Sequence, residues 1–81
     1  MNKLKLHAKL IDLGVVDSET DLVVIKEAGT GDFKSVYVTV VSGLGDVIVY
    51  IFQNNKFVML EGKAHVSDIE RLKDLDLEEF E

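Results

Sequence analysis

Carboxylates offer this chain most of its chemistry, and they gather at its C-terminal end. Ser67 to Glu81 holds Asp68, Glu70, Asp74, Asp76, Glu78, Glu79 and Glu81 against only Arg71 and Lys73. Of the net charge of −6 on 81 residues, residues 1–66 contribute −1, because their eight acidic and seven basic side chains nearly cancel. A row of negative charge attracts the arginines and lysines that otherwise hold phosphates, and its field speeds association with a basic surface. It opposes direct binding to nucleic acid, which needs clustered basic side chains.

No other constellation reaches catalytic or metal-binding spacing. His7 and His65 fall in separate segments, and neither has the local partners of a triad or a metal site. Asp17, Glu19 and Asp21 alternate as at the opening of a calcium loop. The sixth position there is Leu22 instead of glycine, however, and the twelfth is Ala28 instead of glutamate. Gly29-Thr30-Gly31 would cradle a phosphate only before a helix, and a strand pattern follows it. With no cysteine, a disulfide framework, a thiolate site and a thiol nucleophile are all excluded. The expected function is non-enzymatic, with no cofactor and no metal.

The elements that must position the acids centre on Phe33 to Leu60, which reads as three consecutive antiparallel strands. Asn54-Asn55 between two apolar runs suits the positive φ of a two-residue hairpin loop. It pairs Phe52 with Phe57, Ile51 with Val58, Tyr50 with Met59 and Val49 with Leu60. The turn around Gly43-Leu44-Gly45-Asp46, taken as two or four residues, sets Val40 opposite Val49 and Val38 opposite Ile51. Alternation then separates two faces. One is aliphatic, with Val36, Val38, Val40, Val47, Val49, Ile51, Val58 and Leu60, and is the expected core face. The other carries Phe33, Tyr37, Val41, Ile48, Tyr50, Phe52, Phe57 and Met59, with Ser35, Thr39 and Glu61 mixed in. A one-residue bulge at Gly43 or Gly45 would swap the faces of the first of these strands. Leu22 to Glu27 adds a strand through a four-residue loop at Gly29–Asp32, with Val23 and Ile25 on the aliphatic face opposite Val38 and Val36.

Lys3 to Leu10 alternates strictly between lysine or histidine and apolar residues, which predicts a half-buried strand. Leu6, Leu10 and Leu13 at helical spacing make a helix the competing reading. After Leu60, Gly62 bends the chain and Lys63 to Val66 continues the strand. Ser67-Asp68-Ile69-Glu70 matches a capping box, so a helix is predicted from Ser67, with Ile69, Leu72 and Leu75 as its apolar stripe. Acids at its far end oppose the helix dipole, so it should stop between Asp74 and Leu77.

The chain is thus expected to be one α+β domain over residues 1–81. It comprises a four- to five-stranded antiparallel β-meander with a short acidic C-terminal helix or tail over residues 67–81, a small β-barrel being the alternative. The longest apolar run, Val47 to Phe52, is too short to span a bilayer, so no membrane partner and a cytoplasmic location are expected. The expected function is a protein-binding module, an acidic nucleic-acid mimic that inhibits by occupying the basic site of a nucleic-acid-handling protein. Its contacts would be Asp74, Asp76, Glu78, Glu79 and Phe80 on the tail and Tyr37, Tyr50, Phe52 and Phe57 on the aromatic face. The alternative is a self-assembling scaffold that forms a homodimer through the aromatic face or a free strand edge.

Overall fold

The computed structural model describes all 81 residues. Helix α1 (Lys3–Asp12) replaces the expected N-terminal strand. Its N-cap is Asn2, whose Oδ1 accepts the Lys5 N–H at 3.1 Å. Leu6 and Leu10, one helical turn apart, are fully buried, whereas Leu4, which a strand would have buried beside them, is 82% exposed. The helix ends in a Schellman motif: the Gly14 N–H donates to Ile11 O and the Val15 N–H to Leu10 O, both at 3.0 Å. This closure needs a left-handed residue, and Gly14 has φ +77°.

Strands β1 (Leu22–Ala28), β2 (Ser35–Val41), β3 (Val47–Gln53) and β4 (Lys56–Glu61) form an open antiparallel sheet in sequence order. This is the meander of an α+β fold, and no fifth strand or barrel closure occurs. Asn54 and Asn55 adopt φ +51° and +69°, as a tight two-residue turn between twisted strands requires. The turn holds the expected pairing of Phe52 with Phe57, and Gln53 pairs with Lys56 beside the turn. Val58 is then an extra residue, and the ladder resumes as Ile51 with Met59, Tyr50 with Leu60 and Val49 with Glu61.

The β2–β3 loop overturns the expected faces. It spans five residues, because Val41 pairs with Val47. Ser42 builds it: its Oγ accepts the Leu44 and Asp46 N–H groups, and its own N–H donates to Asp46 O at 2.8 Å. An odd loop length shifts the register by one residue, setting Val36 opposite Phe52, Val38 opposite Tyr50 and Val40 opposite Ile48. The core face therefore combines the valines of β2 with the aromatics of β3. The β1–β2 loop is longer than expected and contains a one-turn 3-10 helix (Gly31–Phe33), which moves Val23 and Ile25 opposite Val40 and Val38. A two-residue shift preserves their face, and both pack against the core.

Beyond β4 the chain does not continue as strand. Gly62 turns it at φ +107°, with Val47 O only 2.7 Å from where a Cβ would stand. Helix α2 (Val66–Lys73) follows, its N-cap being His65 with no side-chain capping bond. Ser67 thus lies inside the first turn and the capping box does not form. Leu72 is the one side chain of this helix that is fully buried. The helix ends at Lys73, and Leu75, Leu77 and Phe80 then run on as buried anchors, the last two in a 3-10 turn (Leu77–Phe80).

Both helices and this terminal segment lie on the same side of the sheet. Leu6, Leu10, Leu72, Leu75, Leu77 and Phe80 form one cluster with Val36, Val38, Val40, Tyr50 and Phe52. Backbone bonds fasten the end of the chain: the Leu77 N–H donates to Asn55 O at 3.0 Å, and the Asn2 N–H donates to Phe80 O. Truncating Phe80→Ala should cost about 3–5 kcal/mol, a large part of the roughly 4–12 kcal/mol total for a chain this size. In urea unfolding the midpoint should fall steeply at nearly constant slope.

Candidate functional site

Reversal of the β2 face redistributes the expected contact residues. Tyr50 and Phe52 are buried beneath the helices, where Phe52 meets the half-buried Phe57 edge-to-face at a centroid distance of 5.7 Å. Phe80 is buried with them. These side chains hold the core together and are not free to meet a partner. Of the four aromatic residues expected as sheet contacts, Tyr37 alone is exposed, and it lies on the opposite side of the sheet.

The terminal acids are held by the docked segment. Asp74, Glu78 and Glu79 are exposed. Asp76 is half-buried: its Oδ1 accepts the Glu78 N–H at 3.0 Å and its Oδ2 lies 3.1 Å from Lys56 Nζ. The Glu78 N–H, then Lys56, hold its carboxyl below the usual carboxylate range. Glu81 pairs with Lys34, which also lies 3.5 Å from Glu27. The segment packs against α1, an element that brings Lys3, Lys5 and Lys9 and so mixes positive charge into the acidic field. Acidic ridge and Tyr37 are therefore two separate surfaces.

The outer face of the sheet keeps Tyr37, Val41 and Met59 from the expected contact face and joins to them Val47, Val49 and Ile51, which sequence reasoning assigned to the core face. Four rows cross it: Leu22, Val41 and Val47; then Val24, Thr39, Val49 and Glu61; then Lys26, Tyr37, Ile51 and Met59; and a more polar last row of Ala28, Ser35, Gln53 and Lys56. No helix or loop covers it. Leu22 is 71% exposed, Val47 52%, Val24 51% and Met59 51%, a concentration of apolar surface unlike singly scattered residues. Only Ile51, ringed by its row neighbours, is buried there. The signal for this face in the sequence is arithmetic. Two short amphipathic segments beside a sheet apolar on both sides suffice to cover one side.

Reactive chemistry finds no assembled site. No group of three histidine or acidic side chains is placed to hold a metal. Asp17 and Asp21 instead accept backbone N–H groups within their own turn, from Glu19 and Asp17 respectively, each at 2.9 Å. The roomiest depression, about 380 Å³, lies between Gly31, Asp32, Lys34, Asn54, Asn55 and Glu81 and has no apolar lining. Small-molecule sites are mostly apolar concavities, so its composition does not fit one. No helix is long and apolar enough to cross a membrane.

No family model matches the chain, and no curated protein or solved structure matches it.

Tyr50 makes the burial of the aromatics testable. Desolvation, with smaller effects from the Asp68 and Asp21 carboxylates, pushes its phenol up to about 12. An unfolded tyrosine ionises near 10, so between about pH 10 and 12 the unfolded chain loses a proton that the folded chain keeps. Stability present below that window should fall through it. Tyr50→Phe should flatten this alkaline slope in pH-dependent urea unfolding.

Proposed function

We propose that the protein is a non-enzymatic protein-recognition module whose contact surface is the uncovered outer face of the sheet. The observation that carries this reading is the exposure of Leu22, Val24, Tyr37, Val47 and Met59 together on one flat face that no part of the chain covers. Burying such side chains gives roughly 25 cal/mol per Å² of apolar area, and Tyr and Met are enriched at interface centres. Thr39 adds a hydroxyl at the middle of the face.

The docked acidic ridge supports a second reading, a nucleic-acid mimic that occupies a basic protein site. Its favourable feature is that Leu77 and Phe80 anchor the short turn bearing Glu78 and Glu79, so less conformational entropy is lost when those charges are engaged. The mixed charge of the neighbouring α1 weakens it.

Photo-crosslinking separates the two. With a photoreactive side chain at Val24 or Met59, covalent adducts to a protein should form in the native host, and with the same group at Glu78 they should not. Adducts at Glu78 alone would move the function to the acidic ridge.

A further inference from the structure

We infer that the outer face binds a second copy of the chain, sheet against sheet, about a two-fold axis running parallel to the strands. This rests on the reading of that face as the contact surface, and it names the occupant. The placement of charge on the face points to that occupant. In the three apolar rows only Lys26 and Glu61 are ionic, on the two opposite edge strands, β1 and β4, in adjacent rows; the fourth row adds Lys56 on β4, which Asp76 neutralises at 3.1 Å. Neither Lys26 nor Glu61 belongs to an ion pair within the protomer.

A two-fold axis along the strands lays the β1 edge of each copy over the β4 edge of the other. Lys26 then meets the strand bearing the partner copy's Glu61, displaced by one row of about 7 Å across sheets about 10 Å apart, a gap that the two side chains can reach across. The symmetry makes this contact twice. An axis across the strands would instead lay β1 over β1 and bring the two lysine-bearing edges together, leaving each charge over apolar surface. With Lys56 held by Asp76, the unpaired charges of the face are complementary in the first arrangement only.

The area sets the strength. Four strands about 4.8 Å apart and three apolar rows about 7 Å deep give roughly 400 Å² in plan. That is large for an exposed apolar patch on a monomer and about half of the roughly 800 Å² per partner in a standard stable interface. The dimer should therefore form reversibly at concentrations of about 10 µM to 1 mM, where a small interface operates.

Sedimentation equilibrium over that range, on the full chain, tests it. Lys26→Glu and Glu61→Lys should each weaken dimerisation about tenfold, since each faces like charges in both contacts, and the double reversal should restore it to within about threefold. Both positions are exposed, and circular dichroism should show all three variants folded. A wild-type protein that stays monomeric to about 1 mM overturns the dimer, while crosslinking from Val24 to a different protein would still uphold the face as a contact surface. A dimer weakened by Lys26→Glu but indifferent to Glu61→Lys places the contact at the β1 edge and overturns the arrangement. A dimer indifferent to Val24→Glu places self-association on another surface and overturns this inference, while the proposed function still stands or falls by the crosslinking result.

Discussion

One-sided coverage of the sheet governs the rest of the structure. A four-stranded meander of mostly apolar strands has two faces to remove from water, and the remaining chain supplies two short helices and a terminal 3-10 turn. These converge on one face. Leu6 and Leu10 from α1, Leu72 from α2, and Leu75, Leu77 and Phe80 beyond it fill a single cluster over the valines of β2 and the aromatics of β3. Dividing them between the faces would leave each half-dry, and a packed interior gains from contiguity because dispersion contacts are lost wherever a void opens. The outer face is the remainder of that arrangement, and its composition of Val, Leu, Ile, Met and Tyr is that of a surface with something to bury.

The terminal acids acquire a structural meaning from the same constraint. Residues Asp74 to Glu81 alternate between core anchors and solvent-facing carboxylates, so the segment is stapled to the sheet while its charges point outward. Lys56 with Asp76 and Lys34 with Glu81 secure its two ends. Exposed ion pairs add little stability individually. Here they set the position of a segment whose free energy of docking comes from Leu77 and Phe80.

Much of the architecture was legible in the residues, and the losses have identifiable causes. Asn54-Asn55 announced a hairpin whose two positive φ values the structure contains, and the strands and acidic C-terminal element followed from periodicity. Loop parity was not legible. Ser42 closes a five-residue loop through its hydroxyl, and that odd length exchanged the faces of β2 relative to β3, sending Tyr50 and Phe52 inward and Val47, Val49 and Ile51 outward. Val58, inserted as a bulge, carries no marker of its own. Residues 3–10 satisfy both the two-residue and the helical period. The helix is closed by the Asn2 side-chain cap and the Gly14 backbone turn, local capping bonds that hydrophobic pattern does not encode. Thus Tyr37 kept its place as a contact candidate, Tyr50, Phe52 and Phe80 moved to the core, and the aliphatic outer face emerged only from the assembled register.

The central claim, that the chain leaves this face bare, is tested most directly by methyl NMR of dilute protein with a soluble paramagnetic agent. Strong attenuation of the Val24, Val47 and Met59 methyl signals, with those of Leu6, Val38 and Leu72 preserved, is the expected result. Equal protection of both sets in the dilute protomer would mean that the chain covers the outer face itself, and would contradict it.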